Sequence, residues 1–117
     1  MAQTSGGPDA FGYTWRNSND VQGPAYSWID ITTTGTQVTS LTDDNATAMI
    51  PMGMNFHYYW SDYSSLVIGS NGWLSFNPIS NVAHCFPVIP TAGGAGDNIL
   101  APFMSDLIMN APGSSAQ

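Results

Sequence analysis

Lysine and glutamate are missing from this sequence, and Arg16 alone stands against eight aspartates. Charged residues make up 8% of the 117 positions, against roughly 25% in an average soluble domain, so Ser, Thr and Asn must solvate most of the surface. Without Lys and Glu the chain lacks the usual i,i+4 ion pairs of exposed helices. A formal net charge of −7 repels phosphate backbones and anionic membrane surfaces, which excludes nucleic acid as a partner. Cys85 is the only cysteine, so no intramolecular disulfide can form. It is expected as a small buried hydrophobe, either free or paired with another chain. No apolar run approaches the roughly 18 residues of a transmembrane helix, so membrane insertion is not expected. Met1-Ala2-Gln3-Thr4 lacks the charged start and apolar stretch of a signal peptide. A secreted chain of this kind is expected to have lost its targeting segment.

What is present is strand and turn material. Hydrophobic residues make up 43% and aromatics 12%, enough apolar surface for a globular fold, and 117 residues suit one domain with one modest core. Gly, Pro and Asn cut the chain into pieces of strand length. Phe11–Trp15 alternates large aromatics, and Tyr26–Ile31 reads as a second strand after the polar loop Asn17–Pro24. The strongest signal runs from Ile50 to Trp60, where Ile50, Met52, Met54, Phe56, Tyr58 and Trp60 fall on every second position. That is the period of a strand with one buried face. Leu66-Val67-Ile68 and Trp73–Phe76 flank Gly69-Ser70-Asn71-Gly72, and the Asn-Gly pair predicts a hairpin. Pro87 and Pro90 confine any strand in 82–90 to a short or edge position, and Ile99–Phe103 reads as a last buried segment. The predicted fold is all-β: an antiparallel β-sandwich, jelly-roll-like, or a partly open barrel. Residues 1–8 are expected to be a flexible start, 9–110 a single module and 111–117 a frayed tail.

The chemistry of a catalyst does not assemble. A nucleophile needs a base within reach, and His57 and His84 are the only imidazoles. His84 and Cys85 are neighbours, so in a strand their side chains point to opposite faces. Asp43-Asp44 sits in a predicted turn and reads first as a turn-capping pair. With Asn45 it also forms an oxygen-rich group of the kind hard cations favour, so Asp43, Asp44 and Asn45 are the candidate metal ligands, with calcium the candidate ion. No spaced EF-hand pattern accompanies them. Gly93-Gly94-Ala95-Gly96 lacks the Lys-Ser/Thr and following helix of a phosphate loop and is read as a connection. Most aromatics are expected in the core. Tyr59 falls out of phase with the Ile50–Trp60 stripe and Tyr63 lies in a Ser-rich stretch, so these two are the candidate ligand-binding residues, suited to stacking on sugar rings.

Asp9–Tyr13, Gly23-Pro24 with Trp28–Ile31, Leu41–Asn45, Ser70–Phe76, and Ala101-Pro102-Phe103 with Asp106-Leu107 together resemble a β-rich accessory module of large secreted bacterial proteins. Such modules are found beside subtilisin-like peptidases, adhesins and cargo of the type IX secretion route. The resemblance spans nearly the whole chain and implies an extracellular location and a part in binding, spacing or assembly. It brings no catalytic residue to any position here. It also implies further strands beyond Asp106-Leu107, where this chain has ten more residues, so a domain shortened at its C-terminus is expected. A sandwich short of strands exposes unpaired backbone and apolar surface, which favours strand addition from another chain. The sequence therefore predicts a non-catalytic extracellular module of assembly, adhesion or spacing that associates with itself or another protein through sheet edges. Its alternative is a module binding carbohydrate or a surface polymer through exposed aromatics, stabilised by calcium.

Overall fold

A computed structural model describes residues 2–78 and 98–110 of the chain. It is all-β and antiparallel, with a two-stranded and a four-stranded sheet, neither closed into a barrel. This is the fold class read from the sequence. The chain divides into two compact units, residues 1–33 and 34–117, and each is described by itself.

In the first unit β1 (Ser5–Gly6) pairs with β2 (Trp15–Arg16). The hairpin is closed by an aspartate rather than by the aromatic alternation that Phe11–Trp15 suggested. Asp9 Oδ1 accepts from the backbone N–H groups of Phe11, Gly12 and Tyr13 at 2.8–2.9 Å, and those residues form a turn in place of a strand. Asx turns of the same type follow at Asn17, Asp20 and Asp30, which accept from Asn19, Gln22 and Thr32. Short polar side chains that bond the backbone two residues on compete with strand pairing, which accounts for the loop-rich character of this unit. Arg16 is 3.9 Å from Asp20 and also donates to the Gln22 side chain.

The second unit carries β3 (Ile50–Tyr58), β4 (Ser61–Gly69), β5 (Trp73–Ser75) and β6 (Ile99–Leu100) in that spatial order. The predicted hairpin is β4–β5. Its loop is Ser70-Asn71-Gly72, with Gly72 at φ +77° and its N–H bonded to the Gly69 carbonyl at 3.2 Å. This is the three-residue loop in which glycine takes the left-handed position; Asn71 is not itself at positive φ.

The faces of the sheet follow from register. Val67 lies opposite Ser75 and Gly69 opposite Trp73, and this face is sealed: Val67 is 2% exposed and Trp73 1%. Ile68 opposite Leu74, Leu74 opposite Leu100, and Leu66 opposite Ile50 make the other face, which is apolar and half-buried. The Ile50–Trp60 stripe does not stay on one face. Met52–Asn55 lie opposite Ser64 alone, a bulge of three extra residues. An odd insertion reverses which way the following side chains point. Ile50 thus faces with Leu66 while Phe56 faces with Tyr63, Met54 is expelled to 60% exposure, and Trp60 stands 77% exposed.

Phe76, 4% exposed, gathers the rings of this unit. It stacks on Tyr63 at 4.8 Å and on Phe56 at 5.3 Å and meets Tyr58 at 5.3 Å. Aromatic pairs in these geometries add to simple area burial.

Two tests arise here. A Cβ on Gly69 would fall 2.0 Å from Trp73 Cε2, inside the indole, so Gly69→Ala is expected to cost about 3 kcal/mol in urea unfolding with an unchanged m-value. A near-neutral result would mean that the indole does not lie on this strand. Asp20 has its pKa lowered from 3.8, first by the backbone N–H of Gln22. A lowered folded-state pKa gives a contribution present above the unfolded value and lost as pH falls through the folded one. The Gln22 amide resonance should therefore titrate with a midpoint below 3.8, and a midpoint above it would refute the bond.

Candidate functional site

Three surfaces hold the residues singled out from sequence. The first is the acidic corner. Asn71, 2% exposed, is its anchor: Nδ2 donates to Asp44 Oδ1 at 2.8 Å, and Oδ1 accepts from Leu107 N at 2.7 Å. Its backbone carbonyl accepts from Ser105 N at 3.1 Å. The buried amide thereby draws Asp44 and the 105–107 segment to one place, and Asp43, Asp44 and Asp106 each bring an oxygen to within 4.8 Å of the others. Asn45 serves otherwise. Its Oδ1 accepts from Thr42 N and its Nδ2 donates to the Ser40 carbonyl, both at 2.8 Å, so its amide closes the loop. With one oxygen from each, the three exposed carboxylates bring together three of the six to eight oxygens that calcium takes. Asp106 was invisible as a member because 62 positions separate it from Asp44, and nothing in local pattern reports a contact across that span.

The second surface is the tip of the β3–β4 hairpin. Tyr58 pairs with Ser61, which leaves Tyr59-Trp60 as a two-residue turn, with Tyr59 at φ +52°. Tyr59 is half-buried, edge-on to Tyr58 at 4.7 Å and 5.7 Å from the Trp60 ring. Tyr63, the other candidate ligand residue, is stacked on Phe76 in the aromatic cluster. Both rings are half-buried, Tyr59 at the hairpin turn against Tyr58 and Tyr63 on β4 against Phe76. Trp60, which the alternation assigned to the core, is the exposed ring beside Tyr59. One rung below the tip, His57 lies opposite Asp62, with Nδ1 and Oδ1 2.7 Å apart and side chains 59% and 68% exposed. Such a pair is part of a hydrolase triad, but here it is solvated and lines none of the clefts described below. His84 and Cys85, and so any dyad of Cys85 with His57, lie outside the described residues, as do Gly93–Gly96 and the tail.

The third surface is the segment Tyr26–Ile31. Its composition is that of a strand, yet it forms none, and no backbone hydrogen bond joins it to any described residue. Tyr26, Trp28 and Ile29 are 82%, 76% and 77% exposed. Clefts also open in the second unit. One of about 220 Å³ is lined by Leu41, Ile68, Trp73, Leu74, Phe103 and Met109 among others. Another, between residues 36–40 and 47–50, reaches Ile68.

A family model described as NIDO related matches residues 16–117. The chain belongs to the NIDO-related family. NIDO-related domains are β-rich, typically extracellular and non-enzymatic modules, which agrees with the all-β fold and with the coarse reading of an extracellular module. No curated protein and no solved structure matches the chain. Among the described residues, no helix of this NIDO-related chain is long and apolar enough to cross a membrane.

Asn71 gives the site its test. Asn71→Ala would strand the Leu107 N–H and the Asp44 contact, and is expected to cost about 2–3 kcal/mol. Asp44→Asn, which keeps an acceptor for the same amide, should cost under about 1 kcal/mol. Equal losses for the two variants in thermal unfolding would show that the amide does not organise the corner.

Proposed function

We propose that this NIDO-related chain is a non-catalytic extracellular module of assembly or adhesion within a larger secreted bacterial protein, and that it joins other protein by strand addition. The observation that supports the reading is Tyr26–Ile31. Its backbone has no partner among the described residues, and three large apolar side chains on it are at least 76% exposed. Large apolar side chains left exposed along one segment favour an interaction site, and N–H and C=O groups unpaired with any described residue suit the edge of another sheet. Main-chain pairing would supply affinity while Tyr26, Trp28 and Ile29 choose the surface they meet. A second copy of the chain is the simplest partner. The neighbouring Asp30 and the net charge of −7 make self-association depend on screening, so it should strengthen as salt is raised.

Light scattering across a concentration series, in calcium and in chelator, tests this. A defined oligomer that grows with concentration and salt is expected. Ser27→Pro, which removes a backbone donor, and Trp28→Ser should each shift it to monomer without changing the far-ultraviolet spectrum. A monomer at every concentration, or an oligomer indifferent to both substitutions, would exclude self-association through this segment.

A further inference from the structure

Asn71-Gly72 is the only Asn-Gly pair in the chain, and the fold calls for both residues. Gly72 stands at φ +77°, and a Cβ on it would fall 1.9 Å from the Phe103 carbonyl oxygen, so conformation and crowding both exclude a side chain. Asn71, 2% exposed, must donate and accept at once. Its Nδ2 donates to Asp44 Oδ1 at 2.8 Å while its Oδ1 accepts from Leu107 N at 2.7 Å. An amide does both; an ionised carboxylate only accepts. The hairpin therefore keeps side by side two residues whose adjacency is chemically labile. Asparagine is a thermolabile residue, and a glycine after it, having no side chain, leaves its backbone nitrogen unhindered as a nucleophile toward the side-chain amide carbon.

We infer that Asn71-Gly72 is a self-modification site that the closed corner protects and an opened corner exposes, so that a chain which opens there is converted one way into a form that holds the corner less well. In the reaction the Gly72 backbone nitrogen bonds to Cγ of Asn71. The proton from that nitrogen leaves with the Nδ2 amino group as ammonia, and a five-membered imide remains. Water then opens the imide at one of its carbonyls, giving aspartate or isoaspartate. Water is the only co-reactant, and nothing is oxidised or reduced. The folded corner opposes the first step. The Gly72 N–H is bonded to the Gly69 carbonyl at 3.2 Å, and the Asn71 carbonyl accepts from Ser105 N at 3.1 Å. The side-chain amide is held at both ends by Asp44 and Leu107, so neither the backbone nor the side chain is free to rotate toward ring closure. The product in turn opposes refolding. An aspartate at 71 loses the donor to Asp44 and sets a carboxylate where the amide now lies 2.8 Å from Asp44 Oδ1. Asp43, Asp44 and Asp106 already bring oxygens to within 4.8 Å of one another there, and like charges this close repel. Isoaspartate adds a carbon to the main chain of a turn that already abuts Phe103. The inference rests on the bonds of this corner and is independent of strand addition by Tyr26–Ile31.

The full chain is to be incubated at neutral pH in buffer and in urea, and conversion of Asn71 followed by mass spectrometry of peptic peptides, with aspartate and isoaspartate forms separated by chromatography. Conversion in buffer should be slower than in urea by at least about tenfold, because only the opened fraction reacts. Asp44→Ala removes the acceptor of Nδ2, so it should speed conversion in buffer several-fold and leave the rate in urea unchanged. If that variant does not fold, it should react in buffer at its urea rate. Asn71→Asp, which carries the product from the start, should unfold at a lower temperature than the parent. Equal rates for the parent in buffer and urea, an Asp44→Ala chain that reacts in buffer no faster than the parent, or an unchanged unfolding temperature for Asn71→Asp would each overturn the inference.

Discussion

The second unit is organised by the contact between the Trp73 indole and the bare backbone of Gly69. The two residues face each other across β4 and β5, and the ring occupies the space where any Cβ on Gly69 would stand. Sealing an aromatic of this size is worth about 4–6 kcal/mol by area, a large share for a sheet with few fully buried side chains. Ala46, Ala101 and Met104 pack against the Val67–Trp73 pair. The small residue opposite the large one is what lets two short strands approach closely enough to share a core. β5 spans only three residues, and without that contact it would have little to hold it beside β4.

The same hairpin carries buried polarity at its turn, where Ser70 and Asn71 are both answered, whereas the buried indole N–H of Trp73 beside them has no hydrogen-bond partner among the described residues. Ser70 N donates to the Asn45 carbonyl and Ser70 Oγ accepts from Asn45 N, while Asn71 bonds Asp44 and Leu107. A buried polar group left alone costs about 1–3 kcal/mol; satisfied, it gives direction that apolar contacts lack. The loop at 40–47 and the segment at 105–109 are in this way registered to the hairpin, a connection continued by Met109 N to the Thr42 carbonyl. Apolar packing brings the strands together, and the Ser70-Asn71 turn decides which loops lie beside them.

Several features of this fold were legible in the residues. β3, β4 and β5 and the turn at Gly69–Gly72 follow from alternation and from glycine chemistry, which are local. Where the reading departed from the structure, the missing information was pairing. The Ile50–Trp60 stripe keeps period two in sequence straight through a bulge whose extra residues are counted only against Ser64 on the partner strand. That is why Met54 and Trp60 looked internal. Tyr26–Ile31 has the propensity of a strand, but propensity supplies no partner. The acidic corner was half legible: Asp43-Asp44 stood out, while Asp106 joins through the buried Asn71 and Asn45 turns its amide to its own loop.

The contrast between two turns bears on function. At Gly72 positive φ is met by glycine, as sterics require, and the residues around it are buried and bonded. At Tyr59 the same requirement is met by a large ring beside an exposed Trp60, at a position where glycine would cost the backbone less. One turn is therefore shaped by the demands of the fold, and the other works against them to hold two rings at an apex. In a chain with so little charge to spend on recognition, rings held outside the core are the chief means it has of making a specific contact. The Tyr59-Trp60 tip and the Tyr26–Ile31 segment both carry aromatic surface outside the core, the first on a turn at positive φ and the second on a segment with no backbone hydrogen bond to any described residue.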